Sequence, residues 1–220
     1  MHNAEMISHS IVLVDDTKIV PNQAMPIKNN PFGDLSSKIA LSSIMEKVFE
    51  KKQEPKIDNT SFEPSFIFDD IVFQSSSLPP RILVQQNSSE LSDKLPKIFK
   101  EILKELPEIE SEVAAVGINF ELFISKDEDA NVKTKIFQDK INVGLESAST
   151  TLVYKINDNC KLNLTIADAN YQEQKGIYFK ANFHNKVNDD NSLKDVLKKV
   201  SDFFKTANDK LEELLDDNSK

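Results

Sequence analysis

Glycine is scarce in this chain, four in 220 residues, at Gly33, Gly117, Gly144 and Gly176. Loops that cradle phosphates need glycine-rich backbone, and neither GxGxxG nor GxxxxGK occurs, so the common nucleotide-binding loops are excluded. HExxH, GxSxG and CxxC are absent as well. Cysteine is rarer still: Cys160 stands alone, which excludes an internal disulfide and suits a reducing, cytoplasmic location. With three His and one Cys no conventional zinc site is expected, and no residue is assigned to a metal, a cofactor or catalysis.

Arginine is nearly missing too. Of 27 basic residues only Arg81 is Arg, and the formal net charge is −9. Phosphate neutralisation needs clustered cations and base recognition favours the bidentate guanidinium, so no nucleic-acid partner is expected. No apolar run approaches the ~20 residues needed to cross a bilayer, and His2, Glu5 and His9 replace the basic-then-apolar opening of a secretory signal. No membrane partner is expected. The 39% hydrophobic content and 14 Phe are nevertheless too much for a disordered chain.

What the chain does have is alternation. From Val113 to His184 apolar and polar residues trade places over several runs, the mark of strands with one buried face. Ala114, Val116, Ile118, Phe120, Leu122 and Ile124 point one way in the first run. Leu152, Tyr154 and Ile156 form the next inward set and Cys160, Leu162, Leu164 and Ile166 the one after, joined by Asn157-Asp158-Asn159, residue types suited to a turn. That loop sets Ile156 opposite Cys160, Tyr154 opposite Leu162 and Leu152 opposite Leu164, so inward meets inward throughout. Ile177, Phe179, Ala181 and Phe183 make a last inward set, with His184 outward. Residues 133–143 read as a strand, although Ile136 and Phe137 break the period.

Outside this region Ile7–Val14, Lys18–Val20, Phe66–Phe73 and Arg81–Val84 read as short strands. Helical spacing of apolar residues marks 34–52, 93–106 and 192–215; Asp93 is the expected N-cap of the second, Pro96 falls in its first turn and Pro107 stops it. The expectation is an α+β fold: an antiparallel β-sheet centred on residues 113–184 with about three helices packed mainly on one face, in a single domain spanning 1–220 with an N-terminal arm over 1–33.

Four constellations invite a functional reading. In the last helix Leu193, Leu197, Val200, Phe204, Ala207, Leu211 and Leu214 recur every four and three residues, the seam of a coiled coil; Val196, Phe203 and Leu215 flank that seam and widen it, which favours a helix lying on the sheet. Cys160 and His184 offer a nucleophile pair, but strand parity puts the thiol inward and the imidazole outward. Asp127-Glu128-Asp129 opens like a calcium loop and then fails, with Val132 and Gln138 where Gly and Glu belong. Asp69 and Asp70 interrupt an apolar strand, making one of them a candidate buried acid. The leading expectation is a non-catalytic cytosolic binding, assembly or regulatory protein acting through a surface on a protein partner. A homodimer is expected through Leu211, Leu214 and Leu215, taken as an exposed apolar end of the last helix. The alternatives are a small hydrolase or transferase with a carboxylate-based site, and an acidic mimic of nucleic acid.

Overall fold

The alternation seen over 113–184 accounts for only four of the nine strands of the sheet. In the computed structural model, which describes residues 4–15, 38–52, 54–59, 65–77, 80–125, 149–188 and 191–216, nine strands form one antiparallel sheet. In chain order the elements are β1 (Glu5–Val14), α1 (Lys38–Phe49), β2 (Lys56–Asp58), β3 (Ser65–Phe68), β4 (Ile71–Ser77), β5 (Pro80–Gln86), α2 (Lys94–Glu105), α3 (Glu108–Glu112), β6 (Ala115–Ser125), β7 (Ser149–Lys155), β8 (Cys160–Tyr171), β9 (Gln174–Lys186), α4 (Leu193–Lys198) and α5 (Val200–Asp216). The spatial order is β2-β3-β4-β5-β1-β6-β9-β8-β7.

This order corrects two expectations. β1 is no part of an arm: it lies in the middle of the sheet, paired with β5 on one side and β6 on the other. The sheet is centred on the β1/β6 seam rather than on 113–184, and five helices are described rather than three. Read outward from that seam, each half repeats the other: β1-β5-β4-β3 on one side, β6-β9-β8-β7 on the other. Because β1 and β6 are antiparallel, with Ile11 opposite Ile118, the halves are related by an approximate two-fold axis normal to the sheet. Each half ends in helices, α2–α3 after β5 and α4–α5 after β9.

One face of the sheet carries the core. Ile11, Leu13, Ile82, Val84, Ile118, Phe120, Leu162, Leu164, Phe179 and Phe183 are buried there together with Leu41, Ile44, Leu95, Ile98, Phe99 and Ile102 of the helices. Phe204 packs on Phe120 and Phe203 on Phe183, ring centres 5.2 and 4.9 Å apart, which seats α5 on this face. In β1 a bulge between Met6 and Ser8 resets the alternation, so that Met6 faces the core opposite Leu122 while Ser8 turns to the other face. At Gly176, where β9 begins beside β6, a Cβ would collide with the Ile124 carbonyl and the Phe123 ring.

The β7–β8 register is the one the turn and the alternation require: Tyr154 opposite Leu162 and Leu152 opposite Leu164. β7 ends at Lys155, however, and Ile156 is exposed rather than inward. Phe66–Phe73 is not one strand. Asp69 and Asp70 form a tight turn between β3 and β4, with Asp69 in the left-handed region at φ 49°, a conformation that Asp tolerates better than most residues. The last helix is also divided: Lys199 donates its N–H to Val196, a tightened final turn, and α5 starts afresh at Val200. Asp93 makes no side-chain cap to α2 and instead pairs with Lys97 one turn on, at 2.7 Å. Lys18–Val20, the start of the first expected helix at 34–37, residues 133–143 and the acidic turn at 127–131 lie outside the described residues.

Candidate functional site

The helix-facing row that crosses the seam runs Ile71–Gln86–His9–Phe120–Ala181–Leu164. Its first half is interrupted by two polar side chains, each 2% exposed. Gln86 uses its whole amide: Nε2 donates to Asp70 Oδ2 at 2.6 Å and Oε1 accepts from the Ser92 hydroxyl. Lys94, at the start of α2, reaches both Asp70 oxygens at 3.1 and 3.3 Å and lies over the Phe49 ring. Asp70 is therefore the structurally engaged member of the acidic pair, half-buried with 30% of its side chain exposed, while Asp69 is exposed and pairs with Lys51 at 3.2 Å. Burial pushes the Asp70 carboxyl up, but the hydrogen bonds from Gln86 and Lys94 and the Lys94 charge outweigh it and leave the pKa below the usual range.

His9 is different. Neither ring nitrogen has a partner among the described residues, and burial lowers its pKa to about 4 against the opposing pull of Asp70. Ser92, His9 and Asp70 form no relay, since Ser92 and Asp70 both bond Gln86 and His9 bonds to neither. Cys160 is buried, its thiol pushed up to about 11 by its surroundings, and His184 is exposed on the opposite face, as strand parity requires. They do not meet.

The last helix ends otherwise than expected. Leu211 is 3% exposed and belongs to the core, and Leu214 packs against it. The side chain of Leu215 lies outside the described residues. The exposed apolar end on which the dimer expectation rested is thus absent at Leu211, whose side chain is spent on the chain's own core.

Two surfaces remain. On the face away from the helices Gln85, Ser10, Asn119, Asn182 and Asn163 form a continuous polar row over five strands. It is largely self-satisfied: Asn163 donates to Asn182 at 3.4 Å, Asn182 to Asn119, and Asn119 to Ser10 at 3.1 Å. Beside it Ser8 and Lys180 both bond Glu121, and Thr151 bonds Thr165.

The second surface is a groove of about 500 Å³ between α2 and α4, with α3 at its end, lined by Pro96, Lys100, Leu103, Lys104, Glu110, Lys194, Leu197 and Lys198. The i, i+4, i+7, i+8 spacing of 96, 100, 103 and 104 brings those side chains to one face of α2, and 194, 197 and 198 share a face of α4 in the same way. Pro96 and the residual exposed edges of Leu103 and Leu197 supply apolar floor, while four lysines and one glutamate make the rim. Lys104 pairs with Glu101, Lys194 with Glu110 at 2.8 Å and Lys198 with Asp195 at 3.1 Å. Lys100 has no acidic partner among the described residues. Sequence reading missed this groove because α2 and α4 are about 90 residues apart and each lysine pair alone resembles any solvated helix face.

No family model matches this sequence, and no curated protein matches it significantly. Among the described residues no helix is long and apolar enough to cross a membrane, and no cluster of His, Cys, Asp or Glu could hold a metal ion.

Proposed function

We propose that this chain is a non-catalytic binding protein that acts on a protein partner through a surface, and that the surface is the groove between α2 and α4. The observation that carries the reading is an apolar floor between two lysine-bearing walls in a chain whose net charge is −9. Concave apolar ground with a few polar groups at its edge is what binding sites are made of, whereas the amide row on the sheet's other face already consumes its own hydrogen bonds. A carboxylate-based enzyme is less well supported, because Asp70 is held by Gln86 and Lys94 and touches no activated nucleophile. An acidic mimic is less well supported too: Glu105, Glu101, Glu110, Asp93 and Asp195 each have a lysine beside them.

Amide chemical-shift mapping tests the reading. Titration with amphipathic peptides and with simple amphiphiles should move resonances of residues 96–104 and 194–198 before any others. Shifts confined to the sheet face away from the helices, or turnover of an ester, phosphoester or glycoside substrate that Asp70→Asn abolishes, would overturn it.

A further inference from the structure

The lysines of the groove are not scattered. Lys100 and Lys104 stand four residues apart on one wall and Lys194 and Lys198 four apart on the other, so each wall repeats its charge once per helical turn, a rise of roughly 6 Å. A small amphiphile with one anionic end would need one cation. Two walls with a repeat instead match a ligand whose own charge repeats along its length on both flanks of an apolar stripe. Resting on the reading of the groove as the working surface, we infer that its occupant is an acidic amphipathic helix of a protein partner, with leucine-like side chains on the floor and Glu or Asp at i and i+4 facing the lysines.

The charge state of the groove allows this. Lys100 carries no internal pair among the described residues and is available outright. Lys194 and Lys198 hold solvent-facing pairs with Glu110 and Asp195, weak enough to be exchanged for those of a ligand, while Lys104 is itself exposed but leans on the more buried Glu101. The floor needs no rearrangement, because Leu103 and Leu197 are fixed in the core.

The test uses the full chain and three probes: a helical peptide of about 18 residues, five turns, with a Leu stripe flanked by Glu; the same peptide with Lys in place of Glu; and dodecanoate. The acidic peptide should bind with shifts at residues 96–104 and 194–198. Binding should weaken about tenfold or more between ~50 and ~500 mM salt, and by at least as much in the Lys100→Glu/Lys198→Glu variant. A thermal melt of that variant like that of the wild type shows the loss to be local. Equal binding of the acidic and basic peptides in the groove would overturn the acidic partner while leaving the groove as the binding surface. Dodecanoate entering while both peptides are refused would replace the helix by a small amphiphile. If no probe shifts groove residues, the inference and the proposed function fall together.

Discussion

The two halves of the sheet share one topology and treat its centre differently. In the second half the helix-facing row beside the seam is Phe120, Ala181 and Leu164, and α5 closes over it with Phe204 on Phe120 and Phe203 on the neighbouring Phe183. Across the seam the same row continues in the first half as His9, Gln86 and Ile71. There Gln86 is tied through Asp70 to the β3–β4 turn and through Ser92 and Lys94 to the start of α2. The same architecture is therefore closed in one half by aromatic packing, which is non-directional, and in the other by a hydrogen-bonded bracket that fixes where a turn and a helix begin. The first spreads its stabilisation over many contacts; the second is directional, so that removing one member leaves a specific buried group without its partner.

The largest break in this comparison should come from the packed half. Phe120→Ala removes a side chain with no exposure that touches α5, and should cost about 3–5 kcal/mol in denaturant unfolding. A loss under about 1 kcal/mol would show that α5 does not depend on the seam row.

In the bracketed half the weak point is His9. Burial holds its folded pKa at about 4, below the ordinary histidine value of 6.5, so the unfolded chain binds the proton more readily between those values. The penalty is absent above pH 6.5, grows as pH falls toward 4 and is complete below it, about 3 kcal/mol in all. His9→Leu should remove this acid-dependent slope and leave stability at pH 7 unchanged or higher, since it replaces an imidazole that bonds to none of the described residues by an apolar group of similar size. Unfolding curves of both forms from pH 7 to 4 decide it; an unchanged slope would place the acid sensitivity elsewhere.

The smallest expected effect is that of the bracket itself. Asp70→Ala leaves the buried Gln86 amide without an acceptor and should cost about 1–2 kcal/mol. Amide exchange should quicken at the β3–β4 turn and the first turn of α2 while β7–β8 stays protected. A uniform increase over both halves would mean that the bracket is not local.

The β7–β8 hairpin was legible because everything that sets it is near in sequence: a three-residue turn of Asn157, Asp158 and Asn159 and a strict two-residue period on either side. The outward parity of His184 and the inward parity of Cys160 followed for the same reason. Phe66–Phe73 misled because apolar residues flank Asp69-Asp70 closely on both sides, so the turn interrupts no hydrophobic run. The break at Lys199 has no Pro or Gly to announce it. Of the candidate site residues, Asp69 and Asp70 stood out for carboxylates amid apolar neighbours, which says nothing of their partners, while Leu211 was misplaced because a stripe says that a helix is covered but not by what.

The sequence by itself determined the strand faces, the three main helical regions and the exclusion of the common nucleotide-binding loops, since periodicity and residue type are local properties of the chain. Only the tertiary structure decided that β1 is the middle of the sheet, that the two halves repeat, that His9 is buried without a partner among the described residues, and that the lysines of α2 and α4 face one groove. Each of these joins segments some tens to more than a hundred residues apart, and pairing at that distance is selected by the burial of whole faces against one another rather than by any short pattern.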